Sequence, residues 1–308
     1  MGRLLYTLIR VAGLLSVGAL LLNANTIDPQ CSSPSTDMVA MSGSSTTFCV
    51  SDYGWSNGWF ATGAPGDYPA NTSSNLLADN AQAVSYTLGG TTYTNWISPY
   101  ADGKHTNSDF TIVTPVTVSN GVATSVITDG RVDVTVTSTV VNNNLQQTFK
   151  ITNLTNQTLT NINFFDYFNY FPYGAGNPTL GTLTYNPVQT VEGNWVYGLW
   201  ASGTWGSSGF IRDGGICGGI GTSGCTTPTG HEIGTPNSVF QDVGLGATLN
   251  GSNSGSNDVA GALSWDASGL SLGNGASQSF TIELVPEPET IALLLIGLAG
   301  IYVGRRKF

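Results

Sequence analysis

The stretch "RVDVTVTSTV", residues 131–140, constrains the fold more than any other part of this chain. Val132, Val134, Val136 and Val140 share one parity, while Arg131, Asp133, Thr135, Thr137 and Thr139 share the other. That period of two predicts a strand with one face buried. Turn signals lie on both sides: Asn120-Gly121 and Asp129-Gly130 suit tight hairpins, and Asn142 to Asn144 tolerate left-handed backbone. The next segment, "LQQTFKI", turns Leu145, Phe149 and Ile151 inward. In "ITNLTNQTLTNINFF", Leu159, Ile162 and Phe164 shift phase, which predicts a hairpin with a bulge. Phe280, Ile282 and Leu284 of "SFTIEL" share a face, so a last strand is expected to lock into the sheet.

Between residues 28 and 283 no stretch sustains helical periodicity, and Gly and Thr are abundant. The expectation is an all-β chain, an antiparallel β-sandwich. Residues 203–234, rich in Gly and Ser, read as a long loop pinned by a cysteine pair.

The nine Lys and Arg stand against nineteen acids. Arg3, Arg10, Arg305, Arg306 and Lys307 lie near the termini, leaving Lys104, Arg131, Lys150 and Arg212 for the body of the chain. That body carries a net charge near −15. Such a surface repels nucleic acid and anionic headgroups, which excludes a nucleic-acid partner, and it attracts divalent cations.

Arg3 and Arg10 precede the apolar "VAGLLSVGALLLNA", which reads as a signal peptide over residues 1–24, cut after Ala24. An exported chain with an even cysteine count is expected to form two disulfides. The nearest pairs are Cys31 with Cys49 and Cys217 with Cys225, among three connectivities that four cysteines allow. Metal-ligand spacing of the Cys-x-x-Cys kind is absent.

At the other end, residues 291–303 carry no charge. Thirteen helical residues reach about 20 Å, short of a hydrocarbon layer of about 30 Å. Arg305, Arg306 and Lys307 form a basic anchor that can snorkel to the headgroups, so the run reads as a short transmembrane helix with its basic end cytoplasmic.

"VPEP" (Val285, Pro286, Glu287, Pro288), the short apolar run and the terminal basic cluster together resemble the PEP-CTERM sorting signal. The resemblance covers about the last two dozen residues, with Glu289 and Thr290 where Ser-Thr is common. It implies a bacterial exported protein recognised by exosortase, a membrane-embedded transpeptidase-like enzyme that processes the chain near Pro-Glu-Pro. Relatives carrying the signal come from bacteria that make exopolysaccharide and biofilm matrix. The expected organisation is a signal peptide (1–24), a β-sandwich ectodomain (25–284) and the sorting signal with its membrane helix (285–308). The expected location is the envelope membrane before processing, then the cell surface or extracellular matrix.

Chemistry is sparse in the ectodomain. His105 and His231 are its two histidines, and neither HExxH nor GxSxG occurs, so no enzyme is expected. Sugar binding is the alternative, because aromatic rings stack on the apolar faces of pyranose rings. In "FFDYFNYFPY", Phe164, Phe168 and Tyr170 share one parity, and Phe165, Tyr167 and Phe171 the other. One face should fill the core and the other lie under a loop. The candidates for an exposed glycan platform are Trp195, Trp200, Tyr167 and Tyr173. No cofactor is expected. Calcium is a further candidate ligand at Asp102, Asn107 and Asp109, but their spacing misses the EF-hand pattern and reads better as a solvated turn. The resulting reading is a structural or adhesive matrix protein associated with exopolysaccharide. The runner-up is a carbohydrate-binding or carbohydrate-active protein, the enzyme form needing a cleft with two facing acids.

Overall fold

The computed structural model describes residues 38–43, 46–54, 56–61, 77–98, 108–141, 144–170, 181–191, 194–205, 210–221, 225–252, 254–256 and 260–286. Two antiparallel sheets take up all the described strands. The first runs β1 (Met38–Ser42), β2 (Thr46–Ser51), β3 (Ser56–Ala61), β4 (Leu77–Leu88), β10 (Leu159–Tyr170), β16 (Ala260–Ala267), β14 (Gly230–Gly234), with β5 (Thr91–Trp96) also paired to β4. The second runs β15 (Ser254–Ser256), β11 (Gly181–Val191), β12 (Asn194–Trp205), β13 (Phe210–Ile220), β17 (Ser277–Pro286), β9 (Asn144–Asn153), β8 (Val132–Val141), β7 (Val122–Thr128), β6 (Thr111–Ser119).

The two sheets share one core. Phe164 of β10 lies 5.3 Å from Phe149 of β9 and stacks at 5.0 Å on Phe280 of β17, ring centre to ring centre. The period-two reading holds here: Val132, Val134, Val136, Leu145, Phe149, Ile151, Phe280, Ile282 and Leu284 are all buried. The β6–β7 turn takes the left-handed backbone its sequence predicts, with φ of 52° at Asn120 and 76° at Gly121. At the rim the sheets are clamped by polar contacts. Tyr86 of β4 donates to Asp129 in the β7–β8 turn, Arg131 pairs with Asp129, and the Arg131 guanidinium lies 4.1 Å above the Tyr93 ring.

A turn is swallowed by this core. Residues 51–54 link β2 to β3 between the sheets, and three of their carbonyls are met by side chains. The Ser125 hydroxyl donates to Asp52 O, the Ser98 hydroxyl to Tyr53 O (3.2 Å) and Gln147 Nε2 to Gly54 O (2.9 Å). Backbone polar groups that leave water need such partners, which explains polar residues at inward positions of otherwise apolar strands.

Three expectations are corrected. The bulge at the start of β10 is present, with a register shift between Thr160 and Asn163 and φ of 50° at Asn161, but there is no hairpin. β9 and β10 belong to different sheets, and the link between them is a corner held by Asn153, whose Nδ2 donates to Gln157 O and Leu272 O. The supposed loop over 203–234 contains β13 and β14, with β13 well inside the second sheet. Its glycines serve close packing: a Cβ on Gly218 would stand 2.8 Å from the Trp265 ring and 2.5 Å from Thr281 O. Finally, a helix does form, α1 (Pro236–Gly244), capped by Thr235, which accepts from Ser238 N, with Pro236 at its first turn. Val239 and Val243 of α1 pack on Ala81, Ala83, Phe165, Tyr167 and Ala262, so a helix rather than a loop covers the second face of the aromatic run.

Candidate functional site

β17 positions the C-terminal signal. It lies between β9 and β13, with Phe280, Ile282 and Leu284 buried. Pairing with β9 ends at Leu284 opposite Leu145, whereas β13 continues alongside, Gly215 opposite Val285 and Gly214 opposite Pro286. The first two residues of the sorting motif are therefore part of the sheet. Pro286, which has no N–H to donate, stands at the strand's last position, where proline is tolerated. Glu287, Pro288, Arg305, Arg306 and Lys307 lie outside the described residues, as do the apolar run 291–303 and residues 1–24. Among the described residues no helix is long and apolar enough to cross a membrane.

Beside β17, Cys217 and Cys225 form the expected disulfide, with Cα atoms 5.3 Å apart. Cys49 is also disulfide-bonded, and Cys31 lies outside the described residues. Glu283 approaches Cys225 Sγ at 3.8 Å and accepts from Asn144 Nδ2 at 2.8 Å. Cys217, Cys225 and Glu283 cluster closely enough to hold a metal ion, but the disulfide leaves no thiolate there to bind one.

Of the four aromatic candidates, Tyr167 alone has a described side chain. Tyr167 is fully buried, edge-on to Trp96 and to Phe240 of α1, so it is a packing residue and not part of an exposed platform. Trp195 and Trp200 occupy β12, where their backbone alone is described, and Tyr173 lies outside the described residues. Asp102, Asn107 and His105 also lie outside them, while Asp109 accepts from Trp96 N at 2.7 Å. His231 stacks on Tyr185 at 3.6 Å, ring to ring, joining β14 to β11.

Two acids are unusual. Asp166 of β10 is completely buried among apolar neighbours of the same parity, Phe164 and Phe168. Its Oδ1 accepts from Asn80 Nδ2 (2.8 Å) and Gln82 Nε2 (2.9 Å), and its Oδ2 has no partner among the described residues. Burial pushes its carboxyl up to about 8, against the pull of those two amides. Glu232 of β14 is pushed up as well, first by burial and then by the carboxylate of Asp242 in α1, with which it shares a hydrogen bond.

A feature missed from the sequence is the outer face of the second sheet. Thr117, Thr124, Thr137 and Thr148 sit directly opposite one another across β6, β7, β8 and β9, and the row ends at Thr281 of β17, which is buried and donates to Gly221 O. Ranks of hydroxyls and charges lie beside them, Thr135 with Lys150 and Ser279, then Thr128 with Asp133, Thr152 and Ser277. The alternating threonines of 135–139 were the local signal, but the rank exists only once the strand registers are known.

No curated protein matches the chain. Among solved structures, a bacterial glucoamylase complexed with acarbose aligns with a TM-score of 0.51 at 11% identity over 90% of this chain. The alignment spans 37% of that chain, and at this identity the likeness concerns the fold alone. A putative aldose 1-epimerase from Escherichia coli follows with a TM-score of 0.41 at 14% identity, covering 82% of this chain and 99% of its own. The end of the chain gives a specific match: residues 284–307 fit the PEP-CTERM protein-sorting motif, so this protein carries that signal, entered directly from β17.

Proposed function

We propose that this is an exported bacterial protein that exosortase sorts to the cell envelope or extracellular matrix, where its sandwich acts as a structural or adhesive element on exopolysaccharide. The observation that carries the reading is the continuity of the PEP-CTERM motif with β17, which couples a whole folded domain to the sorting signal. The threonine-bearing outer face supports an adhesive role. It offers hydroxyl donors and acceptors at strand spacings of about 4.8 Å, without the aromatic cleft a single-sugar site uses.

Mass spectrometry of the protein from membranes and from matrix, with and without exosortase, tests the sorting half. A matrix form shortened at its C-terminus, and lost when exosortase is deleted, is the expected result. An intact C-terminus in the membrane under both conditions defeats it. The adhesive half is tested by co-sedimentation of the matrix form with the host's exopolysaccharide, comparing wild type with Thr124→Glu/Thr137→Glu. Loss of sedimentation in the variant is expected, and no sedimentation of the wild type refutes the role.

A further inference from the structure

We propose that Cys217 and Cys225, once reduced, form a zinc site completed by Glu283, so that their disulfide is the oxidised state of a redox-gated metal centre. Three observations lead there. The first is placement. Cys217 of β13 stands directly opposite Glu283 of β17, and Cys225 folds back onto the same pair. One ligand atom from each of the three residues lies within 4.8 Å of the others. Zinc, with bonds of about 2.3 Å to sulfur and about 2.0 Å to oxygen, holds its ligand atoms about 3.5–4 Å apart, so small displacements suffice.

The second observation is orientation. Asn144 Nδ2 donates to Glu283 Oε1 at 2.8 Å, which leaves Oε2 facing Cys225 Sγ at 3.8 Å. A carboxylate fixed by an outer partner on one oxygen is prepared to bind a metal through the other. The third is that the loop is held by more than its sulfurs. Thr226 N donates to Gly218 O (2.7 Å), Gly221 N to Ser279 O (2.8 Å) and the Thr281 hydroxyl to Gly221 O (2.9 Å). These bonds flank both cysteines, so opening the disulfide leaves Cys225 beside Cys217.

Reduction runs by thiol–disulfide exchange with a dithiol. The dithiol gives up two electrons and closes its own disulfide, and its two protons pass to Cys217 and Cys225. Zinc then binds both sulfurs as thiolates, the two protons leave to solvent, and Glu283 Oε2 supplies the third bond. Water takes the fourth position. Soft sulfur donors select zinc over calcium, although the acidic surface attracts both.

The test uses the full chain in detergent, reduced anaerobically with a phosphine and titrated with Co2+, whose bonds to thiolate absorb in the near ultraviolet. A single Co2+ per chain with that absorption is expected, bleached by added Zn2+ and missing from the oxidised chain. Cys225→Ser should abolish it. Glu283→Gln, which keeps the side-chain shape, should weaken binding by about tenfold or more, since loss of an orienting partner alone costs that much. Circular dichroism checks that each protein keeps its sheets, and if Cys225→Ser does not fold, Glu283→Gln decides. No thiolate band in the reduced wild type overturns the proposal, and so does loss of its sheet signal on reduction. A band unchanged in Cys225→Ser belongs to the other cysteines and overturns it as well, as does an affinity unchanged in Glu283→Gln.

Discussion

A Cβ added at Gly54 would stand 2.8 Å from Phe149 and from Val136, in a backbone with φ of +73° that L side chains rarely adopt. The turn it belongs to sits between the sheets, so neither the rings nor the strand behind them can retreat. Gly54→Ala is expected to cost about 3 kcal/mol, the strain of the left-handed backbone plus overpacking, read as a lower urea midpoint. Asp166 is the second residue on which the interior turns. Its folded carboxyl titrates at about 8, against 3.8 for an ordinary aspartate. Between those values the folded chain keeps a proton that the unfolded chain has lost, so stability falls as pH rises through the window and levels off above it. Asp166→Asn keeps the shape and the accepting oxygen but cannot ionise. The variant should lose much of the decline between pH 5 and pH 8, with Glu232, whose carboxyl is also pushed up, sustaining the remainder. Equal pH slopes for wild type and variant in urea titrations would show that Asp166 is not the group responsible.

Elements divide by how local their causes are. The β6–β7 and β7–β8 hairpins were legible because Asn120-Gly121 and Asp129-Gly130 act within four residues, and the inward faces of β8, β9 and β17 because parity is printed along each strand. β13 was not legible: its glycines resemble loop composition, and at Gly218 the cause is a tryptophan on another sheet. α1 escaped because nine residues give too little periodicity, although Thr235 followed by Pro236 is a start signal. The inward Gln147, Ser98 and Ser125 could not be understood from sequence either, since they answer to a turn distant in the chain. The disulfide following β13 belongs to this scale. Cys217 and Cys225 close a loop with a separation of eight residues, which stabilises by about 2.5 kcal/mol in the chain-entropy account. Replacing both by serine is expected to lower stability by that amount without loss of secondary structure, as followed by thermal unfolding in circular dichroism.

On the scale of the molecule, the fold and the address are joined by one strand. The sequence showed the address through "VPEP" and the basic end, and showed that Phe280, Ile282 and Leu284 form a strand, but not that β17 is flanked by β9 and β13. That placement makes the C-terminal boundary sharp. A chain stopped after Pro286 retains every pairing of β17, and its melting temperature should match that of the full chain. A chain stopped after Ala276 lacks the strand that joins β13, β12, β11 and β15 to β9, β8, β7 and β6. It also loses three fully buried side chains, each worth about 1.5–3 kcal/mol of burial, from a domain whose whole margin is about 5–15 kcal/mol. It should not fold, giving no cooperative transition, and no single substitution on the surface should reproduce that loss. Ten residues thus separate a chain that survives removal of its signal from one that cannot form, and both truncations can be compared in a single calorimetry run.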